Sequence, residues 1–177
     1  IAGTVRMLQP GTQKIEVKER REPGEGRTDV TLTPAAEKTP FGRKLAEGKF
    51  VSSVEIRPPR GLDDSTIRAA LEGLAEAGVD AMNIPDGPRA TARMNPIHMA
   101  SLLNTRPDQI EVIVHYTTRD RNLLGIQADL LGAWKLGLRN ILAVTGDPPK
   151  LGDYPDATAV FDIDSIGLIG VLDRLNH

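Results

Sequence analysis

Strand-like and helix-like segments alternate four times from Phe50 to the end of the chain, and this alternation restricts the possible folds more than any other sequence feature. The strand-like runs are residues 50–56, 79–84, 110–116 and 141–144. Each is followed by apolar residues at helical spacing, as with Ile67, Leu71 and Leu74 after the first run. Strand–helix repeats give parallel strands joined by right-handed crossovers. The sequence therefore predicts an α/β fold with about four βα units of roughly 32 residues each.

The predicted helices carry start and stop signals. Asn95-Pro96 is typical of a helix start, Asp164 is a candidate N-cap, and Gly78 and Gly137 are typical of helix ends. The predicted inner face of the long third helix comprises Leu123, Gln127, Leu130, Leu131 and Trp134, and that of the last helix comprises Ile166, Ile169, Leu172 and Leu175. These faces are expected to pack against the sheet.

Two architectures fit this pattern, namely a small open doubly wound sheet and part of a (β/α)8 TIM-barrel type fold. The run 141–144 is wholly apolar, which predicts a strand buried on both faces. The first strand ends in Pro58-Pro59-Arg60-Gly61 instead of a Gly-x-Gly-x-x-Gly motif, so a Rossmann dinucleotide site is not expected. Spacing alone leaves both architectures open.

Residues 1–49 differ from the rest and are predicted to form an irregular linker arm. The stretch 18–27 combines dense charge with Pro and Gly, which is typical of a solvated linker. A short helix is expected near residues 40–47, where it could pack on the body. Because the chain begins with Ile1 and supplies about half the units of an eight-unit barrel, we expect it to be part of something longer.

Composition excludes several classes of function. The chain has no cysteine, which rules out disulfides, iron–sulfur clusters and cysteine-ligated zinc, and we expect no metal site. A net charge of -2 and only 3% aromatic residues give no basis for nucleic-acid binding. No apolar run approaches the roughly 18 residues that a membrane span needs, so we expect no membrane partner and a cytoplasmic protein.

Polar residues recur where the predicted strands end, at Glu55, Asn83, Asp86, His115 and Asp147. The carboxyl ends of parallel strands carry the active sites of such folds, so these positions predict a site. Each residue also has a simpler interpretation. Glu55 could pair with a neighbouring arginine, His115 could be a satisfied core histidine, and Asp147 could be a turn former.

The run Arg119-Asp120-Arg121-Asn122 opens the third predicted helix. Asp120 suits the positive end of the helix dipole, whereas the two arginines do not. This mismatch predicts other partners for the arginines, of which solvent is the simplest.

Three blocks carry a resemblance to a known family, and they are residues 51–60 (VSSVEIRPPR), 115–122 (HYTTRDRN) and 142–149 (LAVTGDPP). With the spacing between them and the segment 127–132, they resemble the methylenetetrahydrofolate reductases over about residues 49–177. The likeness is strongest to the reductase module of bifunctional homocysteine S-methyltransferase/5,10-methylenetetrahydrofolate reductase proteins. It implies that residues 50–177 are the N-terminal half of a (β/α)8 barrel and residues 1–49 an inter-module linker. The methyltransferase module needs zinc-binding cysteines, so that activity is not expected in this chain.

The resemblance implies reduction of 5,10-methylenetetrahydrofolate to 5-methyltetrahydrofolate, with FAD as cofactor and NAD(P)H as reductant. Glu55 would protonate the departing folate nitrogen from a carboxyl group whose pKa is raised by apolar neighbours. Asp147 would place a fixed negative charge beside the cation that forms. The residues implied to line FAD are Ile84, Asp86, His115, Thr145, Gly146, Asp147, Phe161 and Asp162, with Asn83 near the nicotinamide. A homo-oligomer or a second half of the barrel is the expected protein partner.

The sequence departs from the family in two respects. Thr145 stands where stand-alone reductases often have Arg, and the loop containing Pro85 and Asp86 differs from theirs. The later strands of the family barrel are absent as well. An alternative interpretation is therefore a non-catalytic half-barrel fragment or subunit that needs a partner chain to complete the fold. A weaker alternative is a different α/β enzyme with a small open sheet.

Overall fold

The computed structural model describes residues 31–103 and 110–176. Within these ranges it contains ten regular elements besides two short 3-10 turns. In chain order they are α1 (Ala35–Lys38), α2 (Pro40–Ala46), β1 (Ser53–Glu55), α3 (Ser65–Glu76), β2 (Ala81–Ile84), α4 (Pro96–Leu103), β3 (Glu111–Thr117), α5 (Leu123–Lys135), β4 (Asn140–Val144) and α6 (Ser165–Leu175). The predicted strand–helix alternation is confirmed.

The four strands form one parallel sheet in the order β1-β2-β3-β4. A doubly wound sheet reverses its strand order and carries helices on both faces. Here the spatial order follows the chain order, and the helices pack on one face, as they do in a (β/α)8 barrel. The described sheet is not closed, so the fold is a partial TIM-barrel arrangement, as the sequence predicted.

The hydrophobic core lies between the sheet and helices α3 to α6. Alternate residues of the strands point into it, among them the fully buried Met82, Ile84 and Val114. They belong to one cluster with Ile67 of α3 and Leu168 of α6. Successive side chains of a strand face opposite sides, so the residues between them lie on the other, concave face. This face carries Glu55, Asn83 and His115, whereas most of the other candidate site residues lie in the loops after the strands.

The residues predicted to start and end helices do so in the structure. The Asn95 carboxamide oxygen accepts the Ile97 N–H at 2.9 Å, and the Asp164 carboxylate accepts the Gly167 N–H at 2.8 Å. Gly78 and Gly137, just beyond α3 and α5, have φ values of 74° and 85°. Glycine adopts this left-handed conformation without steric cost, which explains why the helices end there.

The two outer strands differ from the predictions. β1 is only three residues long, and Phe50 is exposed instead of belonging to the strand. The prediction that 141–144 is buried on both faces is wrong, since Leu142 is 46% exposed. Among the described residues, both strands have a neighbour on one side only. Leu142 is in register with His115 and so lies on the face that the described helices do not cover.

The predicted inner faces of two helices are also wrong in part. The buried residues of α5 are Ile126, Leu130 and Ala133, and those of α6 are Leu168 and Val171. Of the predicted residues only Leu130 is buried, whereas the others are half-buried or exposed, namely Leu123, Gln127, Leu131, Trp134, Ile166, Ile169, Leu172 and Leu175. Both helices are apolar over more than one stripe, so apolar spacing alone does not select the stripe that faces the sheet.

The predicted helix near residues 40–47 is present as α2 and packs against the amino ends of the strands. The Phe41 N–H donates to the buried carboxylate of Glu111 at 2.6 Å. Lys44 forms an ion pair with Asp80, just before β2. The same Glu111 carboxylate accepts from the Asn140 amide at 2.7 Å, which ties β3 to β4. The charged stretch 18–27 lies outside the described residues.

Across the described residues, the helices are all too short or too polar to span a bilayer.

Candidate active site

An open cavity of about 320 Å³ lies at the carboxyl ends of the strands. Its lining comprises Glu55, Pro85, Asp86, Gly87, Pro88, His115, Thr117, Arg119, Val144, Thr145, Gly146 and Asp147. The volume is at the lower end of the roughly 300–1,000 Å³ typical of small-molecule sites. The structure thus brings together six residues predicted from the sequence, namely Glu55, Asp86, His115, Thr145, Gly146 and Asp147.

Asp86 is the most firmly held charged group of the cavity. Its Oδ2 accepts three hydrogen bonds, from the Thr117 N–H at 3.0 Å, the Thr117 hydroxyl at 2.9 Å and Arg121 Nη1 at 2.7 Å. All three donors use the same oxygen, so Oδ1 has no hydrogen-bond partner among the described residues. A cavity-lining carboxylate oxygen of this kind can accept an N–H or O–H from a bound ligand.

Arg121 connects Asp86 to the helix layer. Its Nε lies 3.1 Å from Asp129 Oδ2 of α5, and its guanidinium lies 4.7 Å from the ring centroid of Tyr116. The Tyr116 hydroxyl donates to the same Asp129 oxygen at 2.9 Å. Burial is the main cause that raises the pKa of Tyr116, so its hydroxyl remains a donor. The sequence interpretation that solvent is the simplest partner of this arginine is therefore wrong.

Arg119 is also buried and also has protein partners. It forms a bidentate pair with Asp120, at 2.8 and 2.7 Å, and its Nη1 donates to the Gly87 carbonyl at 3.2 Å. The dipole mismatch at the start of α5 correctly indicated other partners. Only the tertiary structure shows that each arginine also has a partner in the loop after β2, namely Gly87 for Arg119 and Asp86 for Arg121.

His115 and Asn83 lie side by side on the concave face. His115 Nε2 is 3.1 Å from the Asn83 side-chain oxygen, so this nitrogen carries the proton when the ring is neutral. Burial lowers the pKa of His115, and the negative charges of Glu55 and Asp86 oppose this effect. His115 is therefore held mainly as a neutral hydrogen-bonding group at neutral pH.

Glu55 is the last residue of β1 and is exposed. It pairs in register with Asn83, which places its charge near His115. The apolar neighbours expected around this carboxyl group are not supplied by the described residues, because β1 is an edge strand with an open side. Its position at the cavity is nevertheless the position that the sequence predicted.

Gly146 allows the cavity floor to lie close to the end of β3. Its φ is 95°, and an added Cβ would lie 3.1 Å from the side chains of both Thr117 and Arg119. A larger residue would therefore be strained by both its backbone and its contacts. The neighbouring Thr145 hydroxyl accepts the Ser165 N–H at 3.0 Å, so it also fixes the start of α6.

Asp147 lies at the cavity mouth and is exposed. One of its oxygens accepts the Arg89 N–H at 2.7 Å, which fixes the carboxylate against the loop after β2. Asp147 thus lies at the cavity, whereas the structure has no turn at this residue.

Four predicted residues are not among those that line the cavity. Asn83 lies beside His115, as described above. Ile84 is fully buried in the core beneath it. Phe161 has a φ of 44° and is half-buried, and the Asp162 carboxylate accepts the Leu123 N–H at 3.1 Å at the start of α5. Sequence reasoning missed Thr117 as a lining residue, although it belongs to the HYTTRDRN block that carried the resemblance.

The polar groups of the cavity suit an organic ligand that carries N–H or O–H donors. The free Asp86 oxygen, the His115 ring and the close approach permitted by Gly146 suit a flat group with N–H donors. Within residues 31–103 and 110–176, no group of three His, Asp or Glu side chains could hold a metal ion.

Comparison with protein families gives one match. The model of the methylenetetrahydrofolate reductase family covers residues 41–169, which include most of α2, all four strands and every cavity-lining residue. A search of the curated proteins gives no match. Since the family match covers most of the chain, the chain belongs to the methylenetetrahydrofolate reductase family.

Proposed function

We propose that this chain supplies the first half of the active site of a flavin-dependent methylenetetrahydrofolate reductase that uses NAD(P)H. The observation that carries the proposal is the meeting of Glu55, Asp86, His115 and Asp147 at one cavity, within the region matched by the family. An origin in the reductase module of a bifunctional methyltransferase/reductase is part of the same proposal and rests on the sequence resemblance over residues 49–177. FAD, when bound, would supply the hydride transfer.

Glu55 is the proposed general acid. The methylene bridge of the folate opens when its departing nitrogen gains a proton, which an adjacent carboxylic acid can give. Glu55 lies at the open edge of the cavity, in register with Asn83 and close enough for its charge to affect His115. Because Glu55 is exposed, its carboxyl group is accessible to a substrate from this side.

Asp147 is the proposed counter-charge for the cation that forms when the bridge opens. It lies on the opposite loop of the cavity from Glu55, after β4. Because the Arg89 N–H already holds one of its oxygens, the carboxylate needs little reorganisation when positive charge develops beside it.

The cofactor would be held by residues between these two carboxylates. Asp86 offers an oxygen to a ring N–H or a hydroxyl, His115 offers a ring nitrogen, and Thr145 and Gly146 form the floor. Asn83 orients the His115 ring and would lie near the nicotinamide. The described lining is open at both outer strands, β1 and β4. Phe161 and Asp162 are not part of this lining.

The test separates the two half-reactions and uses the intact enzyme that contains this chain. The intact enzyme is purified with FAD, its visible flavin absorbance is recorded, and electron transfer from NADH to menadione is assayed. Glu55→Gln should lower folate reduction by about 10²–10⁴-fold, the usual contribution of a general acid, and leave NADH oxidation unchanged. Glu76→Gln on the exposed end of α3 is the control. Absence of bound flavin would refute the proposal, and equal loss of both half-reactions would refute the role of Glu55.

The open edges favour a second candidate function, that of a half-barrel subunit completed by another chain. In the part of the chain that the structure describes, β1 and β4 each pair on one side only, and Leu142 of β4 is 46% exposed. Such edges and faces pair readily with a further strand. Sedimentation of the isolated chain should then show an assembly that Leu142→Lys dissociates and Leu124→Lys, on the exposed side of α5, does not. A well-folded monomer without flavin would count against both candidates for this chain alone.

A further inference from the structure

Two loops meet above the cavity and hold each other. The first is the loop between β2 and α4, and the second is the loop between β4 and α6. The Ala92 N–H donates to Asp153 Oδ2 at 2.8 Å, and the Asp153 N–H donates to the Ala90 carbonyl at 3.3 Å. The Arg89 N–H donates to Asp147 Oδ2 at 2.7 Å. We call these contacts, together with Gly152, the loop clamp.

The first loop adopts a conformation that its residues rarely take alone. Arg89 and Ala90 have φ values of 57° and 53°, in the left-handed region that favours glycine. Side chains with a Cβ persist there only when surrounding contacts enforce the conformation. This turn is also the one that directs the Arg89 N–H toward the Asp147 carboxylate. The orientation of the carboxylate therefore depends on whatever enforces the turn.

Gly152 makes the enforcing contact possible. An added Cβ at this position would lie 1.9 Å from the Ala90 carbonyl oxygen and 2.7 Å from the Ala90 Cβ. Its φ of -116° is available to any residue, so the requirement for glycine comes from space alone. The backbone of the second loop thus lies directly on the strained turn of the first.

Asp153 supplies the hydrogen bonds of the clamp. Its carboxylate accepts the Ala92 N–H, and its own N–H donates to the Ala90 carbonyl. Asp153 therefore holds the turn on both sides of Thr91. It also pairs with Arg60 of the loop after β1 at 3.3 Å, but both side chains of this pair are partly exposed. Exposed ion pairs contribute little to stability. The two hydrogen bonds from Asp153 to the backbone of Ala90 and Ala92 are therefore the contacts that hold the turn.

We propose that Gly152 and Asp153 are positioning residues that orient Asp147 for the reaction. They hold the left-handed turn at Arg89 and Ala90, and the turn holds the Asp147 carboxylate at the cavity mouth through the Arg89 N–H. The proposal rests on the proposed function for the catalytic meaning of Asp147. The structural coupling between the loops can be tested independently of any ligand.

The first test measures hydrogen exchange of the Arg89 amide in the full chain by NMR. Asp153→Ala should accelerate this exchange at least tenfold, as should Asp147→Ala, because each removes a support of the same hydrogen bond. Asp153→Asn keeps an oxygen acceptor for the Ala92 N–H and should exchange within threefold of the wild type. Asp63→Ala is the matched control, since it removes another loop aspartate that accepts a backbone N–H, and should leave Arg89 unchanged.

An Arg89 amide that exchanges at the wild-type rate in Asp153→Ala would overturn the proposal. The proposal would also be overturned if Asp153→Ala accelerated exchange generally, including that of the Thr117 amide, which Asp86 holds on the other side of the cavity. Such a result would show that the substitution unfolds the protein and does not act on the loop clamp. The Gly152→Ala variant gives a second measure. It should accelerate Arg89 exchange as much as Asp153→Ala while leaving Thr117 protected.

The second test is a double-mutant cycle on folate reduction. If the clamp acts only through Asp147, Asp153→Ala should lower the rate in the wild type and have no further effect in Asp147→Ala. If the loss of rate in the double variant equals the product of the two single-variant losses, the two residues act independently and the positioning role is overturned. If Asp147→Ala leaves folate reduction unchanged while Arg89 exchange responds as expected, the clamp stands and the proposed role of Asp147 fails.

Discussion

Replacement of Arg121 by methionine tests the charged network beneath the cavity. Methionine keeps much of the apolar stem of the side chain but removes the guanidinium, which pairs with Asp86 at 2.7 Å and with Asp129 at 3.1 Å. The side chains of Arg121 and Asp86 are only 15% and 8% exposed. Removing one partner of such a pair leaves the other charge poorly solvated, which is the main source of the expected loss.

The size of the expected loss in the free energy of unfolding depends on the hydrogen bonds that Asp86 retains. Breaking a buried pair typically costs about 3–5 kcal/mol. Asp86 retains two hydrogen bonds from Thr117, and Asp129 is exposed enough to regain water. We therefore expect the lower end, a loss of about 3 kcal/mol in the free energy of unfolding. For a chain of this length this corresponds to roughly 6–12 °C in Tm.

The assay is urea unfolding followed by far-UV circular dichroism, with the free energy of unfolding extrapolated to water. Arg68→Met is the matched control, because Arg68 pairs with Asp64 at 2.7 Å but the two side chains are 44% and 24% exposed. Exposed pairs contribute about 0–1 kcal/mol, so this control should lose less than about 1 kcal/mol. If Arg121→Met loses no more than Arg68→Met, the network does not stabilise the cavity and the reasoning is refuted.

Three further predictions use the same unfolding measurement. Burial lowers the pKa of His115 below its unfolded value of about 6.5. The contribution of neutral His115 to the free energy of unfolding is therefore complete above about pH 6.5 and is lost as the pH falls through the folded pKa. The stability difference between wild type and His115→Gln should therefore shrink with falling pH, and a constant difference would contradict this. Gly146→Ala should cost about 1–2 kcal/mol through its φ of 95°, whereas Gly73→Ala inside α3 should be neutral or stabilising. Glu111→Ala should cost about 1–3 kcal/mol, since the Phe41 N–H loses its acceptor at 2.6 Å, and an unchanged stability would show that α2 is not held there.

Much of the fold could be predicted because its signals are local. Strand–helix alternation predicted the parallel sheet, and Asn95, Asp164, Gly78 and Gly137 marked helix boundaries through backbone chemistry that acts over a few residues. The meeting of polar residues at the strand ends followed from the topology of any parallel sheet. These features depend on chain direction and spacing, both of which can be read from the sequence.

The buried faces of α5 and α6 could not be predicted because each helix is apolar on more than one side. Ile126 is buried while Trp134 is exposed, and the sequence gives no reason to prefer one over the other. The stripe that faces the sheet is set by the position of β4 and the neighbouring helices. The exposure of Leu142 has the same origin, since an edge strand and a central strand can have identical sequences.

By itself the sequence determined the α/β class, the order of the elements and the residues that end each strand, because these follow from local periodicity and chain connectivity. The tertiary structure alone decided the partners of those residues. It placed Arg121 between Asp86 and Asp129, and it brought Gly152 onto Ala90 from 62 positions away. Contacts between distant loops depend on how the strands are arranged side by side. Here that arrangement turns a row of polar strand ends into a cavity with a defined orientation for each side chain.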